Sequence, residues 1–163
     1  MKDRDIIKKG EERIKELLEL LKVNGKVKTS MEVDEADQRY LKILIEGDNL
    51  GYLIGYRGKN LNALQFLFGQ ILSQETKELI KVQVDVNNYR QRRKEYLESL
   101  AYRAVKEAKE SEQDTELPPL SPFERRIVHM TLKDEEGIKT ESEGVGEDRH
   151  IVIKITKVKK TKK

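Results

Sequence analysis

The 163-residue sequence predicts an α+β protein of two small domains, residues 1–88 and 89–163. Three observations predict it. Over the first half, apolar residues recur first at helical and then at alternating spacing, in an order that gives α-β-β-α-α-β. Two glycines three apart, Gly55 and Gly58, lie between an apolar turn and a strongly amphipathic stretch. In the second half a Ser-Pro-x-Glu helix start precedes two alternating runs.

Residues 5–22 read as a helix, with Ile6, Ile7, Ile14, Leu17, Leu18 and Leu21 on one stripe and Asn24-Gly25 as its stop. Residues 26–34 alternate, with Val27, Thr29, Met31 and Val33 on one face. After the polar turn Glu35-Ala36-Asp37-Gln38, residues 40–46 alternate again through Leu41, Ile43 and Ile45. The short connection predicts an antiparallel hairpin. Residues 59–74 form a helix that buries Leu61, Leu64, Leu67, Phe68, Ile71 and Leu72. Residues 80–87 are a third strand, through Val82, Val84 and Val86. A three-stranded sheet with helices on one face buries all of these stripes.

Residues 89–110 form a long helix whose core stripe is Tyr96, Leu97, Leu100, Ala101, Ala104, Val105 and Ala108. Arg90, Arg92, Arg93 and Lys94 crowd its start. Cations there oppose the helix dipole, so helix stability does not explain them. A solvated face and a phosphate contact explain them equally well. The loop over 111–120 contains Pro118-Pro119. Ser121-Pro122-Phe123-Glu124 matches a capping box with proline at the first helical position, and the helix runs on to Leu132. Residues 137–143 and 149–155 read as a hairpin with Ile151, Ile153 and Ile155 inward.

Composition narrows the function classes. There is no cysteine, so neither a disulfide framework nor a thiolate metal site is available. Hydrophobic residues at 36% support modest cores under a surface made dense by 39% charged residues. No apolar run has the roughly 20 residues of a membrane span, and no signal-peptide core is present, so a cytoplasmic protein is expected. The net charge of +3 rests on the last ten residues, which carry six lysines and no acid. That tail is expected to be mobile. Bulk charge therefore makes no case for nucleic acid; local clusters must.

The stretch from Asn49 to Leu61 is such a place. Glycines at 55 and 58 permit a tight turn into a helix N-terminus, where unpaired N–H groups and the dipole favour an anion. Arg57 and Lys59 add cations there. Such a turn suits a sugar–phosphate backbone; by itself it equally describes a plain helix–turn–helix corner, and the flanks must decide. A P-loop is excluded, because Leu53 stands where glycine and Asn60 where serine or threonine is required. His129 and His150 are far apart in sequence, and no cluster of metal-ligand type or nucleophile–base pattern appears. No enzyme, metal or cofactor is expected.

Ile54-Gly55-Tyr56-Arg57-Gly58-Lys59, between two apolar helices with a strand on each side, resembles a KH domain in the type II order of elements. The resemblance implies that the turn clamps about four single-stranded nucleotides, with bases along an apolar groove. The groove candidates are Leu50, Leu53, Ile54 and the second strand. Arg125-Arg126-Ile127-Val128-His129 resembles the motif of an R-three-H domain, a small α+β unit. The i, i+4 spacing puts Arg125 and His129 on one helix face, where they suit a phosphate; a core hydrogen bond for His129 is the plainer alternative.

A KH domain followed by an R-three-H domain resembles the bacterial Jag family, also called SpoIIIJ-associated, KhpB or EloR. The resemblance implies a binder of single-stranded RNA, with single-stranded DNA as the other candidate ligand, acting after transcription in cell elongation, shape and division. It implies nucleic-acid contacts at Ile54, Gly55, Tyr56, Arg57, Gly58, Lys59, Arg125, Arg126 and His129, and the charge cluster of Arg90, Arg92 and Arg93 adds phosphate candidates to them. It also implies a partner, a small protein made of a single KH domain. An adaptor role with RNA binding secondary is the alternative. Many members carry a further N-terminal domain; here only about two dozen residues precede the first strand, enough for one helix.

Overall fold

The computed structural model describes residues 2–34 and 36–156; Glu35 and the lysine tail beyond Thr156 lie outside the described residues. The chain divides into two compact units, Met1–Arg90 and Gln91–Lys163.

The first unit follows the expected order. It comprises α1 (Asp3–Leu20), β1 (Lys26–Val33), β2 (Arg39–Glu46), α2 (Gly51–Ile54), α3 (Lys59–Thr76) and β3 (Val82–Val86), with a 3-10 turn at Tyr56–Gly58. β1 and β2 pair antiparallel from Lys26↔Glu46 to Val33↔Arg39. β3 joins β2 in parallel, so β2 is central. Leu41, Ile43 and Ile45 on β2 are fully buried in one cluster with Ile6, Ile14 and Leu18 of α1 and Leu61, Phe68 and Leu72 of α3. Each such side chain contributes about 1.5–3 kcal/mol on burial. That layer fixes the platform from which the α2–α3 turn projects.

Two local expectations are corrected. α1 does not stop at Asn24-Gly25. Lys22 takes a left-handed conformation (φ 55°), and the Val23 N–H reaches the Leu18 carbonyl at 2.8 Å while the Lys22 N–H reaches that of Glu19 at 2.9 Å. This is a Schellman closure; lysine in place of glycine hides it from the sequence, and Leu21 is left exposed. On α3, Leu67 and Ile71 are exposed rather than buried, beside a Phe66 that is 65% exposed. The helix carries apolar residues on two sides, and only the side with Leu61, Phe68 and Leu72 faces the sheet.

The second unit contains α4 (Tyr89–Ser111), whose first two residues belong to the first unit, then β4 (Thr115–Glu116), α5 (Pro122–Thr131), β5 (Ile138–Glu143) and β6 (His150–Ile155). The strands are antiparallel in the order β4-β6-β5. β4 was not expected: two residues, paired with Ile153 and Val152, are too short to show alternation. Leu97, Ala101, Ala104, Val105 and Ala108 of α4 pack with Val128, Leu132, Ile151 and Ile153. Tyr96, expected in that stripe, is exposed, with the Arg93 guanidinium 5.1 Å from its ring centroid. The capping box forms. Ser121 Oγ accepts from the Glu124 N–H at 3.3 Å, and Glu124 Oε2 accepts from the Ser121 N–H at 2.9 Å.

Candidate functional site

The α2–α3 turn is built from backbone conformation. Gly55 (φ 68°, ψ −174°) leaves the single turn of α2. Arg57 (φ 51°) and Gly58 (φ 79°) are both left-handed, and α3 starts at Lys59. A Cβ on Gly55 would lie 2.5 Å from the Asn60 side chain, and one on Gly58 would lie 3.0 Å from the Tyr89 ring. Both positions therefore require glycine. Asn60 Nδ2 donates to the Tyr52 carbonyl at 2.7 Å, which fixes α2 against α3. No side chain caps α3; the Lys59 N–H donates back to the Tyr56 carbonyl and closes the 3-10 turn, so the turn runs directly into this 18-residue helix. Tyr56 is 67% exposed, with the Arg57 guanidinium 4.8 Å from its ring centroid; Lys59 is exposed and Ile54 half-buried.

Two of the expected groove residues belong to the core. Leu50 and Leu53 are buried there, whereas Ile54 and the alternate β2 residues Tyr40, Lys42 and Leu44 are half-buried. β3 is one of the two edge strands, and Arg90 works there. Arg90 Nε donates to the Val84 carbonyl at 3.2 Å, and Nη2 donates to Gln65 Oε1 at 2.9 Å and Asn62 Oδ1 at 3.2 Å. Gln65 Oε1 also accepts from the Val84 N–H at 3.3 Å. The buried Asp85 accepts through Oδ1 from the Val86 N–H at 2.8 Å and the Arg90 N–H at 3.3 Å. Burial pulls the Arg90 guanidinium below its ordinary value, and the Asp85 charge works against that. Tyr89 and this clasp escaped the sequence reading because α4 supplies them from outside the motif.

The four cations at the start of α4 are thus not equivalent. Arg90 and Arg93 hold the fold, each within its own unit. Arg93 Nε and Nη2 both reach Glu124 Oε1 at 2.8 Å, and the Glu124 side chain is only 6% exposed. Arg92 is exposed, and Lys94 stands 3.8 Å from Glu98.

On α5, Arg125 and His129 each have a partner. Arg125 Nη1 donates to the Leu120 carbonyl at 2.6 Å, tying down the end of the proline-containing loop. His129 Nδ1 lies 2.7 Å from Thr140 Oγ1 on β5. Arg126 is exposed and makes no hydrogen bond or ion pair among the described residues. Among the described residues, no three His, Asp or Glu side chains group to hold a metal ion, and no helix is long and apolar enough to cross a membrane.

Residues 11–86 match the family model of the KhpA/KhpB KH domain, and residues 95–154 match that of the R-three-H domain. The chain is a KH–R-three-H protein. The RNA-binding protein KhpB of Clostridium symbiosum is 35% identical over 133 residues, covering 82% of this chain and 60% of the relative. That of Bacillus subtilis (strain 168) is 37% identical over 128 residues, 77% of this chain and 61% of the relative. That of Lactiplantibacillus plantarum is 32% identical over 141 residues, 86% of this chain and 43% of the relative. The chain belongs to the KhpB, or Jag, family, and its match to each of these relatives spans less than two thirds of the relative's length.

Proposed function

We propose that this chain binds single-stranded RNA, holding the sugar–phosphate backbone at the Gly55–Gly58 turn and making a second contact from α5. One observation carries the reading: positive φ at Gly55, Arg57 and Gly58 leads straight into the N-terminus of α3, where no side chain acts as a cap. Backbone donors, the helix dipole, Arg57 and Lys59 then act on one anion. Arg125 commits one of its five N–H groups to Leu120, and the others remain for phosphate. In the cell the protein acts on transcripts in the cytoplasm, with growth and division as the phenotypes to examine.

The test replaces Tyr56 and Arg57 by Asp. Single-strand RNA affinity should fall at least about tenfold as repulsion replaces attraction, with an unchanged circular-dichroism melt because Tyr56 is exposed and Asp tolerates the left-handed backbone at position 57. Unchanged affinity with an intact melt overturns the clamp. The measurement is repeated with the chain stopped at Thr156, since the lysine tail alone attracts nucleic acid. A matched DNA strand decides the sugar preference.

A second reading has its own observation. Phe66, Leu67 and Ile71 form an exposed apolar stripe on α3, suited to a small KH partner. Ile71→Glu should abolish co-sedimentation with such a protein while leaving RNA affinity intact.

A further inference from the structure

The other side of α5 carries a groove that the Arg125/His129 pair does not use. Phe123, Arg126, Ile127 and Met130 fall at i, i+3, i+4 and i+7, and with Lys94 and Glu98 of α4 they line a space of about 330 Å³. Phe123 is 69% exposed and Met130 56% exposed. Packing does not explain Phe123, because the second unit's core closes through Leu120, Val128 and Leu132 instead. Arg126, on the same face, is exposed and holds nothing in the fold. Lys94 meets Glu98 only at 3.8 Å. The groove therefore pairs an open aromatic face with a cationic rim. That combination fits a single-stranded nucleic acid, whose bases stack on aromatic rings while its phosphates seek cations.

We propose that this groove takes one unstacked nucleotide of single-stranded RNA, with its base on Phe123 beside Met130 and its phosphate on Arg126. The inference rests on the RNA-binding reading above and moves the principal contact of the second unit to the face of α5 opposite Arg125 and His129. Binding of a fluorescein-labelled RNA of about 12 nucleotides by the full chain tests it, at two salt concentrations. Phe123→Ala should weaken binding about tenfold and leave the salt dependence unchanged, because stacking is lost and no charge is removed. Phe123→Tyr should retain affinity. Arg126→Ala should lower the salt slope by about 1. It remains decisive even where Phe123→Ala melts early. Should the turn variant lose binding while Phe123→Ala and Arg126→Ala bind as the parent does, the groove is not a nucleotide site and the turn reading stands. Should the turn variant also bind normally, the clamp reading falls with the groove; a parent chain that binds no RNA overturns the RNA reading itself.

Discussion

The Gly55–Gly58 turn and the Arg125/His129 face of α5 both suit a phosphate, yet they are made from different materials. In the turn, three positive-φ residues and a helix N-terminus shape the site from backbone, and the side chains only add charge. On α5 the donors are the side chains themselves, and Leu120 and Thr140 already hold one group of each residue. A site made of backbone tolerates neutral side-chain replacement, though not an added anion, and fails when a Cβ is added. A site made of side chains behaves the opposite way, and neighbouring loops can claim it for the fold.

Four experiments break or sharpen that contrast. The largest effect is expected from Glu124→Ala, which removes the capping box and leaves Arg93 without its carboxylate. The second unit should lose about 3 kcal/mol in urea unfolding, with turn function untouched. A loss under 1 kcal/mol would show that the ion pair and cap are dispensable. Gly58→Ala should cost about 1–2 kcal/mol of first-unit stability, since alanine must hold φ 79° against the Tyr89 ring. It should also reduce RNA affinity, and normal stability and binding together would refute a backbone-built site.

Arg125→Ala should lower stability by about 1 kcal/mol through the Leu120 carbonyl. It should lower the salt slope by about 1 where its remaining donors reach phosphate. A lower melt with an unchanged slope makes Arg125 a strut for the loop and nothing more. The smallest effect concerns pH. Hydrogen bonds from Lys139 and Lys154 hold the half-buried Glu141 carboxyl down at about 2, from an ordinary 4.5. Its stabilising charge is complete above the ordinary value and is lost as pH falls through about 2. A side-chain NMR titration with its midpoint near 4.5 would show that neither lysine holds it.

The fold was legible wherever one period served one packing face. Leu41, Ile43 and Ile45 alternate and are all buried, and the Ser121–Glu124 box closes as its spacing demands. Reading failed where two explanations shared one pattern. α3 has apolar residues on two sides, and periodicity cannot say that Leu67 and Ile71 lie away from the sheet. β4 is too short for any period. At the site, the two glycines were readable because their spacing constrains backbone. The roles of Arg90 and Arg93 were not, because Val84, Gln65 and Glu124 come to them from other elements.

The clasp at β3 has a consequence for self-association. A strand at a sheet edge offers its free N–H and C=O groups to any other extended chain. Here Gln65 covers the Val84 N–H, Arg90 the Val84 carbonyl, and Asp85 the Val86 N–H. Three side chains thus close the edge to strand addition, so a partner cannot extend the sheet through these groups without displacing them. The all-valine inward row of β3, an aggregation hazard if its edge lay open, is sealed by the start of the very helix that leads into the second unit.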